Sequence, residues 1–150
     1  MREILFRAKA INRDSIDGRC RRTDYKNGDW VYGLITKPYN EEYDFPAEMR
    51  NTDGVTGIEV DYKTIGQYTG LTDKNGVKIF EGDIVEYEAG KLRIGRVFFS
   101  DFRASFSVTA GKNGNARINN DLYHYIQYGN SVTVVGNIYD NPELIGGEEQ

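Results

Sequence analysis

Ile79-Phe80-Glu81-Gly82-Asp83-Ile84-Val85-Glu86-Tyr87, followed closely by Leu92-Arg93-Ile94-Gly95-Arg96-Val97-Phe98-Phe99, is the stretch that decides the fold. Gly82-Asp83 reads as a corner, because glycine enters the left-handed region at no steric cost and lets the chain swing into a strand. Ala89-Gly90 then turns the chain back, so the second run is the antiparallel partner of the first. Phe106 and Val108 alternate with Ser105, Ser107 and Thr109, a period of two that predicts a third strand. Three short strands at this spacing point to a small barrel or sandwich. Gly82 to Val108 has the spacing of an SH3-like barrel.

Working outward, Thr64-Ile65-Gly66-Gln67-Tyr68-Thr69-Gly70-Leu71 leads into Asp73-Lys74-Asn75-Gly76, where Asn75-Gly76 supplies a positive-φ turn. Upstream, Ile58-Glu59-Val60-Asp61-Tyr62 alternates cleanly, and Trp30-Val31-Tyr32-Gly33-Leu34-Ile35 reads as a strand behind an Asn27-Gly28 turn of type I′. Ile4, Phe6 and Ala8 give the first strand one apolar face. Lys37 to Gly54 holds two of the three prolines and most of the acidic excess, and is expected to be a loop excursion. Downstream, Gly111 to Asn115 is a loop. Leu122, Tyr125 and Ile126 stand at i, i+3 and i+4, which predicts a short helix with Asn120 or Asp121 as its N-cap. Val132 to Tyr139 is the last strand, stopped by Asn141-Pro142. The fold class is therefore mainly β. It comprises an N-terminal β-rich portion (1–63) with an excursion (37–54), an SH3-like small barrel (64–145), and a frayed tail (146–150).

The composition suits that reading. Eleven Tyr and seven Phe against one Trp and two Met favour pleated, half-buried surfaces over helices. Seventeen Gly against three Pro match many tight turns. A lone Cys20 excludes an intramolecular disulfide and a cysteine-based zinc site, and predicts a reduced compartment. The first residues lack the apolar stretch of a signal peptide, and no apolar run approaches the roughly 20 residues that cross a bilayer. A soluble, cytosolic protein without membrane association is expected.

The net charge is −4 and unevenly spread. Between Asn40 and Asp61, seven acids face the single base Arg50, a net of −6. Between Lys91 and Arg117, six bases face Asp101, a net of +5, and Arg2 to Lys26 carries a net of +4. Such asymmetry marks candidate interaction faces.

Thr64 through Gly76 resembles the hallmark block of the YopX family of phage and prophage proteins. Within it and its continuation, Ile79 to Val85, the residues Gly66, Gln67, Tyr68, Gly70, Gly76, Gly82 and Asp83 carry the motif. Ile4 to Ala8, Trp30 to Gly33, and Val135 to Leu144 follow in family order, so the resemblance spans nearly the whole chain. It implies a β-rich fold with an SH3-type barrel and a phage or prophage origin. It carries over no catalytic motif, and the block also reads as structure, with glycines at turns and Tyr68, Leu71, Ile79 and Phe80 as core.

Little in the sequence points to catalysis. His124 is the only histidine, and a dyad or metal site needs a positioned partner. Cys20 lies among Arg19, Arg21 and Arg22, which lower a thiol pKa, yet it reads as a free loop thiol. Asp73-Lys74-Asn75-Gly76 lacks the later ligands of a calcium loop. No catalytic residue, metal site or cofactor is expected. Binding is the expected mode, with a homo-oligomer or a host or phage protein as partner. The alternative is a single-stranded nucleic-acid module, in which Arg93, Arg96, Arg103, Lys112 and Arg117 form a basic face and Phe99, Phe102 or Tyr123 act as stacking platforms.

Overall fold

The structure is a computed structural model that describes residues 2–12, 25–110, 120–129 and 131–146. Cys20, Lys112, Arg117, the loop from Gly111 to Asn115 and residues 147–150 lie outside the described residues. The chain is mainly β, in antiparallel sheets, and clusters in two compact units, Met1–Gln67 and Tyr68–Gln150.

The first unit holds β1 (Phe6–Lys9), β2 (Trp30–Lys37), β3 (Ala47–Asn51), β4 (Ile58–Val60) and the start of β5 (Gly66–Thr72). They lie in the order β4-β3-β2-β1-β5. Its core is built from small and medium side chains, Ala8, Ala10, Val31, Ala47, Met49, Ile58 and Val60. One bridge, Ala10 to Val60, brings the chain beyond β1 back to β4, with hydrogen bonds from Ile11 N to Glu59 O (2.9 Å) and from Asp61 N to Lys9 O (2.9 Å). Ala10 is buried at that point.

Residues 37–54 are not a loop. They form the turn and returning strand of a β2–β3 hairpin, in which Leu34 pairs with Arg50 and Ile35 with Met49. Ala47, Met49 and Asn51 point inward while Glu48 and Arg50 face outward, so burial of alternate residues outweighs the two prolines and the acids. The turn at Asn27-Gly28 also differs from type I′. Gly28 has φ 90 and Asn27 stays at negative φ, with Asp29 N donating to Lys26 O (3.0 Å). One positive φ at the third residue is the type II pattern.

In the second unit β5 continues and pairs with β6 (Lys78–Phe80). The other strands are β7 (Asp83–Ala89), β8 (Lys91–Ser100), β9 (Ser105–Ala110), β10 (Asn120–Asp121) and β11 (Thr133–Asn137). Their order is β10-β9-β8-β7-β11, and α1 (Leu122–Gly129) lies between β10 and β11 in sequence. The expected meander from Gly82 to Val108 is present as β7-β8-β9. The expected barrel is not: this sheet stays open, with two-residue β10 at one edge and β11 at the other. Leu122 and Tyr125 of α1 pack on Val85, Tyr87, Val97 and Val108, so a helix covers the apolar face that barrel closure would otherwise bury.

The hallmark block is a set of staples. The Asp73 carboxylate accepts from Asn75 N (2.8 Å) and Val77 N (2.9 Å), and its second oxygen accepts from Val134 N (2.9 Å) in β11. Gly76 has φ 81, completing the turn between β5 and β6. At the Gly82 corner (φ 91), Asp83 Oδ2 accepts from Phe80 N (2.7 Å) in a fully buried setting. Tyr68 packs on Phe80 with ring centroids 5.5 Å apart. Gly66 and Gln67 pair with Arg7 and Phe6, and Gly70 (φ 84) lies at an irregularity in the pairing of β5 with β6.

Candidate functional site

Period-two geometry sorts the basic residues of β8. Its register with β7 is unbroken from Ala89↔Lys91 to Ile84↔Arg96, so Arg93 and Arg96, three residues apart, face opposite sides of the sheet. Arg93 lies across from the buried Tyr87, and its Nε donates to Ala89 O (3.0 Å). Arg96 is exposed on the other side. The two therefore do not share a face.

Burial pushes the Tyr125 phenol up, and the positive charges of Arg103 and Arg93 act to lower it. Arg103 belongs to the four-residue turn joining β8 and β9. Its backbone N donates to Ser100 Oγ (3.2 Å), and its guanidinium stands 3.8 Å from Asp121, which also accepts from Ser105 Oγ (2.7 Å). Ahead of it, Phe102 is 98% exposed. Phe99 and Phe106 pair edge to face behind the turn (5.3 Å). Tyr123 and Tyr128 are exposed on α1, and His124 touches the rings of Tyr125 and Tyr128. Among the described residues, no group of three or more His, Cys, Asp or Glu stands ready to hold a metal ion, and no helix is long and apolar enough to cross a membrane.

A second exposed aromatic turn, within the expected excursion, closes the β2–β3 hairpin. Asn40 and Phe45 form a bridge across it, and Asn40 Oδ1 accepts from Tyr43 N (3.1 Å). Tyr43 and Phe45 stack at 5.8 Å with much of both rings in solvent, and Lys37 Nζ lies 5.8 Å from the Phe45 centroid. Tyr39 stacks on Tyr62 almost in parallel, with centroids 4.0 Å apart. The Tyr39 hydroxyl donates to Asp44 (2.8 Å), and that bond pushes its pKa up to about 12. The signal for this turn is in the sequence: three aromatics and three acids fall within the seven residues from Tyr39 to Phe45.

The two turns share an unusual backbone. Among the described residues, the non-glycine residues at positive φ are Asp44 (φ 52) and Ala104 (φ 51), one in each turn. Left-handed backbone costs an alanine roughly 1–2 kcal/mol.

A family model described as YopX protein matches residues 19–146. The crystal structure of protein EF1440 from Enterococcus faecalis is similar over 95% of this chain and 98% of that one, at a TM-score of 0.52 and 23% identity. At that identity the likeness shows the fold alone. No curated protein matches the chain.

Proposed function

This chain belongs to the YopX family, and we propose that it is a phage or prophage accessory protein of the bacterial cytoplasm that works by assembly with further copies of itself, not by catalysis. One observation carries the reading: the two hairpin turns are exposed and aromatic, and their surroundings have opposite charge. Tyr43 and Phe45 stand among Glu41, Glu42 and Asp44, whereas Phe102 stands beside Arg103 in the turn that follows β8, the strand carrying Lys91, Arg93 and Arg96. Aromatic and arginine side chains supply much of the binding energy at protein interfaces. Opposite charge adds partner choice and faster association. Two complementary turns on one chain permit reciprocal contact between copies. The β7-β8-β9 meander with β11 beside β7 is the basis for reading the second unit as a relative of SH3-like barrels, a class that commonly works by binding.

The alternative reading is a single-stranded nucleic-acid module. It is favoured by Arg93 and Arg103, whose charges both act on Tyr125, with Phe102 fully exposed beside Arg103, and weakened by Arg96, which faces the other side of the sheet from Arg93. Light scattering across a concentration series, with and without single-stranded DNA, separates the two. Assembly predicts a mass of at least twice 17.1 kDa, unaffected by DNA. A 17.1 kDa species that gains mass with DNA at low salt and loses it at moderate salt, through counterion release, replaces assembly with the nucleic-acid reading.

A further inference from the structure

Beside the acidic turn, in the first unit, is a cavity of about 170 Å³. Ile11, Pro46 and Val60 form its apolar floor, and the stacked rings of Tyr39 and Tyr62 form one wall. Asp44 and Asp61 also line it. Each carboxylate uses one oxygen internally: Asp44 Oδ1 accepts from Tyr39, and Asp61 Oδ1 accepts from Lys63 N (3.0 Å). Their second oxygens make no hydrogen bond among the described residues. Among the described residues on the lining, Lys63 is the cation, and its Nζ is 6.0 Å from the Tyr62 centroid, a distance at which a ring face still attracts positive charge.

Aromatic faces with adjacent carboxylates over an apolar floor suit a cationic side chain that is flat and weakly hydrated. A guanidinium fits this better than an ammonium, because it stacks on a ring and presents its N–H donors as a fork to carboxylates. We infer that this slot receives an arginine side chain, and that in the assembled protein the arginine is Arg103 of a second copy. The inference rests on the assembly reading and names the contact that carries it. Charge complementarity and exposure together favour this occupant: the slot carboxylates Asp44 and Asp61 belong to the Asn40 to Asp61 stretch of net −6, and Arg103 to the Lys91 to Arg117 stretch of net +5. Arg103 sits in a tight exposed turn, and the adjacent Phe102 offers a ring with no internal packing to lose. Its ion pair with Asp121 is long and solvent-exposed on both sides, and such pairs contribute little.

The test has two arms on the full chain. In the first, a capped Asp-Phe-Arg-Ala peptide, the sequence of residues 101–104, is titrated while tyrosine ring resonances are followed by NMR. Saturable shifts of Tyr39 and Tyr62 are expected. Asp44→Asn keeps a residue tolerant of positive φ, and it should weaken binding at least tenfold, as should citrulline in place of arginine. A citrulline peptide that binds as well as the arginine peptide overturns the slot assignment. In the second arm, dissociation of the assembled protein is measured for Asp44→Asn, Arg103→Gln and the double variant. Each single change should weaken association at least tenfold, and the double change no further, as coupled partners do. Assembly unchanged by both variants, or weakened additively, overturns the contact while leaving the assembly reading intact. A wild-type chain at 17.1 kDa at every concentration removes the assembly reading and the proposed occupant together.

Discussion

In the first unit Gly33 of β2 passes under the backbone carbonyl of Arg50, and in the second Gly95 of β8 passes under that of Thr109. Each glycine sits where an added Cβ would strike the neighbouring strand, so each unit has a point at which two backbones approach closely. Around these matching points the interiors diverge. The first unit packs alanines and valines with Met49 and Ile58, and a bridge ties Ala10 to Val60. The second packs valines and Ile79 with two buried tyrosines, Tyr87 and Tyr125, the latter supplied with Leu122 by α1. Similar valines thus serve both cores, and the helix with its tyrosine is what sets the second apart.

The comparison can be broken most forcefully at the glycines. Gly33→Ala and Gly95→Ala should each destabilise by about 3 kcal/mol, as overpacking does in tight interiors. Trp30, the only tryptophan, reports on the first unit. If the units unfold separately, its fluorescence in a denaturant titration should shift for Gly33→Ala and stay put for Gly95→Ala, while far-ultraviolet circular dichroism shifts for both. Equal shifts of Trp30 fluorescence would show one cooperative transition instead.

A smaller effect is expected at Asp73. Removing its carboxylate in Asp73→Ala strips acceptors from Asn75, Val77 and Val134, and should cost about 2 kcal/mol. Hydrogen exchange should quicken at Val134 and leave β1 to β4 protected. Uniform quickening would mean that the staple supports more than its own unit.

The smallest expected effect has the opposite sign. Tyr87 is fully buried, and its hydroxyl has no hydrogen-bond partner among the described residues. Tyr87→Phe should therefore stabilise by about 1 kcal/mol, measured as a raised denaturation midpoint. Burial pushes the Tyr87 phenol up to about 12, and Tyr39 is also raised to about 12 by its bond to Asp44. Below pH 10 both are protonated whether the chain is folded or not. As pH rises from 10 toward 12 the unfolded chain ionises first, so their contribution to stability is lost across that window. Tyr87→Phe and Tyr39→Phe should each flatten the alkaline fall, and a wild type equally stable at pH 9 and pH 11.5 would contradict both shifts.

Much of this was readable in the residues. The Gly82-Asp83 corner, the meander that follows and the helical spacing of Leu122, Tyr125 and Ile126 are local patterns, and each appears as its period predicts. The alternation from Ile58 to Tyr62 holds as strand only to Val60, because Asp61 caps a 3-10 turn over Tyr62–Thr64. The Ala47, Met49, Asn51 alternation was equally local, but Pro38, Pro46 and the neighbouring acids hid it. The opposite facing of Arg93 and Arg96 also follows from their spacing, once β8 is known to run without a bulge. Non-local pairing was not readable. Nothing near Asp73 announces a bond to Val134, 61 residues on, and nothing in the strands says that a helix would take the place of barrel closure. The slot under Tyr39 needed Tyr62 brought beside it, which only the turn of β4 into Lys63 achieves.

The position of β11 has a consequence for synthesis. It is the strand that pairs with the outer edge of β7, and it starts 44 residues after β7 ends at Ala89. At 5–20 residues per second, a ribosome needs roughly 2 to 9 s to make that interval. Throughout it, β7 is available to β8 on one side and offers open N–H and C=O groups on the other, the condition that invites pairing with a neighbouring nascent chain. A polysome crowded with this message would therefore be most prone to misassembly in the seconds before Thr133 emerges, and slower codons between Ala89 and Thr133 would lengthen the hazard without altering one residue of the product.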